Sequence, residues 1–573
     1  MQQTYTLSFP APHTHYTHVN LALAKINIPV VTLRMAVWTP GSYLVREFAK
    51  QIDAVDYSFD QQQWQRAVKT DKNTWQIATN GQSHLYIRYD LYCFEHSVRT
   101  NYIDVEHAVL NGAATFLFVE GAEKTPKDIH IIAPENWHNI STTLETINQS
   151  VWQRRAADLD ELIDSPIEIG NHLSYFFDAA DVPHELAIYG SSNCNTEKLI
   201  ADLKKIIEVE TAIFGGHPCN AYTFFIQHTD NTFGGLEHLH SSLNHVARWS
   251  YEPKKYQQAI SLLAHEYFHL WNVKRIRPKE LGPFNYHEEN YTELLWFFEG
   301  VTSYYDDYIC YRAGVTTQED YLSIVAKNIN TVVNTAGIDT QTLAEASWDT
   351  WLKYYRRTEN SNNTQVSYYT QGAVVAMLFD FIIIQATDGQ HHLDDVMKAL
   401  YQRYLQRPEE GITQQDLINI FSEVSGLDFK PYFQQYIYNT PDFSPEPHFE
   451  QLGLTLKDTT PANKVYLGLY TQWKDGRLMI TELDKNYGAY QSGLNVHDEI
   501  VAIDLYRVTQ DFTKLYAHKK AGEFISVTVS RQGILKSIPV LLSDDKRKQY
   551  ELSLAAHTTE KALRLRNKWL STN

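Results

Sequence analysis

Along residues 1 to about 165, apolar and polar side chains alternate with a period of two. In Leu85-Tyr-Ile-Arg-Tyr-Asp-Leu-Tyr-Cys93 the odd positions are apolar and several even ones polar, which predicts a half-buried strand. Residues 1–165 are therefore expected to form an N-terminal β-rich domain. From about residue 195 the period lengthens: Glu197 to Ile213, Lys255 to Asn272 and Asp395 to Leu405 carry apolar residues at helical spacing. This predicts a mostly helical domain over 166–440. The most apolar stretch, Gly372 to Ala386, is interrupted by Asp380 and is shorter than the ~20 residues a membrane span needs, so a buried helix is expected there. Asn439-Thr-Pro-Asp-Phe-Ser-Pro-Glu-Pro447 places three prolines in nine residues and marks a linker. Beyond it alternation returns in Phe524-Ile-Ser-Val-Thr-Val-Ser530, and a last stretch from about Lys546 to Leu570 reads as a basic helix.

With 573 residues, and ~100–200 residues to a domain, the chain is expected to hold three or four domains. Apolar residues make up 43% and charged residues 21%, close to the globular average, which excludes disordered and fibrous classes. Lys and Arg number 50 against 68 Asp and Glu, a net charge of -18 that disfavours nucleic acid and anionic membrane as partners. The basic residues of Lys546-Arg-Lys548 and Arg564-Leu-Arg-Asn-Lys568 read as a solvated helix face. The N-terminus has neither a basic region nor an apolar run of the secretory type. Four scattered cysteines without a C-x-x-C pair suggest neither a disulfide framework nor a Cys-type zinc site. A cytoplasmic location is expected.

The strongest chemical signal is His265-Glu-Tyr-Phe-His269, in a segment from Ser261 to Trp271 that lacks Gly and Pro and is expected to be helical. On a helix, positions i and i+4 share a face, so both imidazoles can reach one Zn²⁺ while Glu266 beside them activates the attacking water. A catalytic zinc of this kind needs a third protein ligand. Downstream candidates are Glu280, Glu288, Glu289, Glu293 and Glu299. Glu288 follows His269 after 18 intervening residues, but its neighbourhood, Phe284 to Tyr291, has little helical periodicity and looks like a loop. Glu299 instead lies in Thr292-Glu-Leu-Leu-Trp-Phe-Phe-Glu-Gly-Val-Thr-Ser-Tyr-Tyr305, a strongly apolar segment where an unpaired carboxylate is costly. A metal would remove that penalty; an ion pair with Arg275 or Arg277 is the other way to do so.

Glu299-Gly300 in a Trp-Phe-Phe-Glu-Gly context, after the His-Glu-x-x-His segment, resembles the gluzincin metallopeptidases. Within them, His265-Glu-Tyr-Phe-His-Leu-Trp-Asn-Val-Lys-Arg-Ile-Arg-Pro278 closely resembles the PDZ-containing glycyl aminopeptidase family. Trp38-Thr-Pro-Gly-Ser-Tyr-Leu-Val-Arg46 fits that family's amino-terminal signature and is expected to be a structural turn without a catalytic role. The resemblance implies one Zn²⁺ per chain on His265, His269 and Glu299, with Glu266 as general base and then proton donor. Gly234-Gly-Leu-Glu-His238 is similar to the Gly-x-Met-Glu-Asn strand of gluzincin aminopeptidases, whose glutamate binds the free α-amino group and whose glycines let the peptide approach. The resemblance implies that substrate-binding role for Glu237, with Gly234 and Gly235; Leu236 and His238 depart from the motif, and the role of His238 stays open. Ser367-Tyr-Tyr-Thr-Gln-Gly-Ala373 is similar to the Tyr-x-Lys-Gly-Ala segment whose tyrosine steadies the oxyanion. Counting back from Gly372 selects Tyr369 over Tyr368, with Gln371 at the lysine position.

Residues 449–543 resemble a bacterial PDZ domain. Tyr466-Leu-Gly-Leu469 matches the loop that captures a peptide carboxylate, and Ala489-Tyr-Gln-Ser-Gly-Leu494 with Asp498-Glu-Ile-Val-Ala-Ile503 matches the helix and strand behind it. His497 stands where Gly before the Asp is usual, and Leu505 where Gly often follows the second Asp. Such a module either binds a peptide ligand or only packs against the catalytic domain. The expected architecture is multidomain α+β: the N-terminal β-rich domain, a thermolysin-like, mostly helical catalytic domain, a C-terminal PDZ domain and a basic helix over 544–573. The expected activity is that of a zinc aminopeptidase acting on peptides with small N-terminal residues, glycine and alanine. A PDZ-assisted endopeptidase and an inactive peptide-binding adaptor are the alternatives, and the complete set of metal and acid–base residues argues against the adaptor.

Overall fold

The computed structural model describes residues 1–440, 443–462 and 464–572. Pro441 and Asp442 of the expected linker lie outside the described residues.

The N-terminal alternation produces strands as expected. In His84–Tyr92 the odd positions Leu85, Ile87, Tyr89 and Leu91 are buried, and the strand pairs antiparallel with Tyr16–Ala24 inside an eight-stranded sheet. Two four-stranded sheets complete the domain. Ile167–Gly170 pairs with His107–Leu110 and Asn139–Thr142, so the domain closes after Gly170 and not at 165.

The middle of the chain opens on a five-stranded sheet made of β1 (Leu173–Ala179), β2 (Val182–Tyr189), β3 (Tyr222–Thr229), β4 (Gly234–Glu237) and β5 (Ser241–Ala247), in the order β1-β2-β3-β5-β4. β4 runs antiparallel to β5 at the end of this sheet and presents a free edge. Helices follow. α1 (Thr196–Phe214) begins where the Asn195 side chain accepts from the Lys198 amide and ends at Gly215 in the left-handed region. α2 (Pro253–Phe268) carries the His-Glu-x-x-His segment, and α3 (Gly300–Arg312) follows Glu299 directly. α4 (Thr370–Ala386) is buried on nearly every side, as its strongly apolar sequence predicts, and Asp380 within it is buried too. No helix among the described residues is long and apolar enough to cross a membrane.

α3 and α4 cross at two glycines. A Cβ on Gly300 would stand 2.6 Å from Gly372 Cα and 2.7 Å from the Tyr368 carbonyl oxygen. The close crossing brings the residue before each helix, Glu299 and Tyr369, into one cleft.

The C-terminal part departs from expectation in three places. First, the proline-rich segment is not wholly irregular: Glu446–Gln451 forms a short helix, which tolerates Pro447 in its first turn. Second, β6 (Leu454–Asp458) does not belong to the module expected over 449–543. It pairs with Tyr550–Leu554, and Phe449, Leu452, Leu454 and Leu456 join the catalytic core. The separate C-terminal core runs from Val465 to Leu542, around a sheet that begins with β7 (Leu469–Lys474). Third, the basic helix expected over 544–573 occupies only Glu560–Leu570, because 550–554, here β8, is drawn into the ribbon with β6. It is not a fully solvated face either. Trp569 is fully buried, its indole N–H donates to the Tyr304 hydroxyl at 3.0 Å, and the Tyr311 hydroxyl donates to the Leu570 carbonyl at 2.7 Å. The tail thus clamps α3.

His497 and Leu505, the two departures from the glycine pattern, both adopt φ of 70°, in the region where glycine is least strained. The backbone demand is present although the sequence does not meet it with glycine.

Candidate metal centre and substrate cleft

His265 and His269 come from the last turn of α2, with His269 at the C-cap still in helical conformation. Each ring is fixed through Nδ1: His265 against Asp306 Oδ2 at 3.0 Å, His269 by donating to the Asn272 carbonyl at 2.6 Å. That leaves the two Nε2 atoms facing Glu299 Oε2, at 3.6 and 3.3 Å. Partners on the far nitrogen that orient a ring and leave its Nε2 free are the arrangement metal-binding histidines use. Asp306 was not singled out in the sequence, yet it lies seven residues after Glu299, two turns along the same helix face.

Glu299 is 2% exposed and makes no pair with Arg275 or Arg277, whose guanidinium groups donate to backbone carbonyls. Glu288 is exposed in a loop, where it accepts from the Asn285 amide nitrogen at 2.8 Å. Glu280 and Glu293 accept from Thr292 and Tyr438.

Charge around the two rings is dense. Burial, the largest influence on His265, favours its neutral form, but Asp306, Glu299 and Glu266 outweigh it and hold its proton well above the ordinary range. Burial also raises the Glu299 carboxyl, but His269 and His265 overcome it and hold it at about 2. Burial pushes the Glu266 carboxyl up to about 7, against the pull of His265 and His269 and with the help of Glu237 and Glu299. Imidazoles that keep protons only because carboxylates surround them will surrender those protons to a metal cation.

Two overlapping groups of donor atoms, each within 4.8 Å of one another, could hold such a cation: His265, His269 and Glu299, or Glu237, Glu266 and His269. In the second group Glu237 Oε1 and Glu266 Oε2 are buried without a hydrogen-bond partner. Orphaned carboxylate oxygens of this kind require a cation, a proton donor or water.

Glycines make room for these side chains. A Cβ on Gly235 would stand 2.1 Å from Glu266 Oε1. Gly234 has no close neighbour and serves through its backbone, at φ 143°. Trp38–Arg46, expected to be only a structural turn, does dock the N-terminal domain: the Trp38 indole donates to the Asn285 carbonyl at 2.7 Å and packs on Trp351. It does more at Gly41, where a Cβ would stand 2.5 Å from Glu237 Oε2. His238, left open by the sequence, points away from the cleft to Asp164 at 3.2 Å, and Lys274 donates to the same carboxylate at 2.7 Å. Burial works against ionisation of Asp164, but Lys274 and His238 hold it at about 2. That network anchors the end of β4.

Tyr369 faces the cleft, with its ring 6.3 Å from that of His265, whereas the Tyr368 hydroxyl is buried against Thr350 at 2.9 Å. Burial keeps the Tyr369 phenol protonated far above its ordinary range. Gln371 is buried. The cleft is a cavity of about 560 Å³ that His265, Glu266, Glu299, Glu237 and Tyr369 share with Arg99 of the N-terminal domain. Arg99 carries no motif signal of its own, and the signature that contains Gly41 gave no hint of its contact with Glu237. Only the fold brings them here.

Two family models match the chain: the M61 glycyl aminopeptidase over residues 258–375, which spans the segment from α2 to Gly372, and the peptidase M61 N-terminal domain over 4–171. Among solved structures, an aminopeptidase N family protein from Idiomarina loihiensis is 28% identical, with a TM-score of 0.93 over 100% of both chains. An M1 zinc metallopeptidase from Deinococcus radiodurans is 10% identical, covering 74% of this chain and 90% of its own, with a TM-score of 0.47. No curated protein sequence matches. The chain is a metallopeptidase, and the family match implies a metal.

The Gly41 contact is testable. Gly41→Ala should keep its metal but lose kcat/KM roughly a hundredfold, because a displacement of ~1 Å at a positioning group has that effect. Gly81→Ala, at φ 76° with open space around it, carries the same backbone strain and should leave activity unchanged. Equal activity of the two variants would show that Gly41 does not shape the cleft.

Proposed function

We propose that this metallopeptidase is a zinc aminopeptidase with one Zn²⁺ per chain, removing glycine and alanine from peptide N-termini. The observation that carries the reading is Glu237, a 4% exposed carboxylate with an orphaned oxygen, on a free strand edge beside Glu266 and His269. A substrate ammonium supplies the missing partner and fixes the scissile bond one residue from the terminus. The preference for small residues is supported by the description of the matching family.

In this reading His265, His269 and Glu299 hold the zinc, which when bound supplies the Lewis acid that polarises the scissile carbonyl. Glu266 removes a proton from the attacking water and passes it to the leaving amine. Burial favours such a group, because it keeps the carboxyl's affinity for protons near the working pH. Tyr369, held protonated, donates to the oxyanion as it develops. Asp306 and the Asn272 carbonyl keep the rings in place.

We further read the C-terminal module as a PDZ domain that takes peptide C-termini along β7, an edge strand of its sheet. Four free thiols support a cytoplasmic setting.

Glu266→Gln should retain zinc and lose turnover by ~10²–10⁴-fold, the usual worth of a positioned acid–base group; metal analysis beside steady-state rates checks both halves. Free Gly- and Ala-initiated peptides should be cleaved and their acetylated forms ignored, and Glu237→Ala should erase most of that difference. Equal hydrolysis of free and acetylated peptides by the wild type would make the protein an endopeptidase.

A further inference from the structure

We propose that Arg99, supplied by the N-terminal domain, binds the C-terminal carboxylate of the substrate, so that the enzyme is most active on peptides of two or three residues. The proposal rests on Glu237 as the amine site and extends it to the other end of the substrate.

The backbone that carries Arg99 is packed in place. Its neighbour Val98 is 1% exposed and packs with Phe225, Leu236 and Leu243 of the catalytic sheet, and the loop is closed by the Thr100 hydroxyl donating to the Glu95 carbonyl at 3.0 Å. The guanidinium nevertheless has little to do within the protein. Among the described residues its one hydrogen bond runs from Nη2 to the Gly235 carbonyl at 3.4 Å, and its Nε is buried without a partner. Cations elsewhere in the catalytic domain are paired with carboxylates: Lys274 with Asp164 and Arg312 with Asp394. Arg99 shares its cavity with five carboxylates, Glu237, Glu266, Glu299, Asp306 and Asp307, and hydrogen-bonds to none of them. A planar fork of donors left open in the cleft matches a carboxylate, which it can hold with two parallel bonds.

The spacing selects the substrate. Gly235 lies two residues before Glu237 on β4, roughly 7 Å along a strand. A peptide laid on the free edge of β4 with its ammonium on Glu237 carries its carboxylate about 7 Å away if it has two residues and about 10 Å if it has three. Both fall within reach of the Arg99 side chain. In a longer peptide the carboxylate lies beyond it, and a neutral backbone carbonyl takes its place. The net charge of -18 works in the opposite sense, since it favours substrates without the extra negative charge.

The test compares kcat/KM for Gly-Ala and Gly-Ala-Ala as free acids and as C-terminal amides, with a five-residue peptide in both forms as control. Amidation should cost the wild type roughly tenfold or more on the short peptides, chiefly in KM, and should leave the five-residue peptide unaffected. Arg99→Gln with full metal content should treat acid and amide alike, and Arg99→Lys should retain part of the preference. Lys327, an exposed cation also lining the cavity, is the control, and Lys327→Gln should keep the preference intact. Equal rates on acid and amide by the wild type, or a preference that disappears with Lys327, would overturn the proposal. An acetylated Gly-Ala-Ala separates the two readings. If acetylation abolishes cleavage while amidation changes nothing, Glu237 stands and Arg99 does not; if acetylation changes nothing, the aminopeptidase reading itself fails.

Discussion

Buried negative charge is the constraint on which the rest of this structure depends. Glu237, Glu266 and Glu299 are all at most 5% exposed, and their oxygens converge on two imidazoles that are themselves pinned by Asp306 and the Asn272 carbonyl. Carboxylates so placed are costly unless cations or donated protons meet them. The crowding shows in the raised proton affinity of both imidazoles and of Glu266. In the proposed reading, a dication on His265, His269 and Glu299 and an ammonium on Glu237 answer the same demand. In this account the density of buried carboxylate is what gives the cleft its affinity for metal and substrate.

Close packing makes the convergence possible. Gly300 and Gly372 let α3 and α4 cross tightly enough for Glu299 and Tyr369 to share a cleft, and Gly235 and Gly41 leave the space that Glu266 and Glu237 fill. The N-terminal domain is therefore part of the site. It supplies Gly41 against the carboxylate of Glu237 and Arg99 along the strand edge, and its Trp38 is packed in the catalytic core. The C-terminal tail acts at greater distance: Trp569 and Leu570 are bonded to tyrosines of the helix that begins after Glu299.

What was legible in the sequence was what a local period or a short motif can encode. Alternation placed the strand 84–92 and its buried face, and i, i+4 spacing with an apolar setting brought together His265, His269 and Glu299. Glu288 had an attractive spacing but no helical period, and it lies in a loop. Contacts across domains were illegible because nothing local marks them. Arg99 is an ordinary residue until two domains dock, Gly41 reads only as part of a turn, and β8 reads as part of a basic helix until β6, nearly a hundred residues earlier, claims it. His497 and Leu505 show the intermediate case, in which the missing glycines were visible while the left-handed backbone they tolerate was not.

The most direct test of this account is the location of the metal itself, because two donor sets sharing His269 compete for it. Anomalous scattering at the zinc edge from crystals of the zinc-loaded protein would locate it. The account predicts a single peak ~2.0–2.2 Å from both Nε2 atoms of His265 and His269 and from the Glu299 carboxylate, with Glu237 and Glu266 outside bonding distance. A peak bonded to Glu237 and Glu266 together with His269 would contradict it, since those two carboxylates could then act neither as amine site nor as general base.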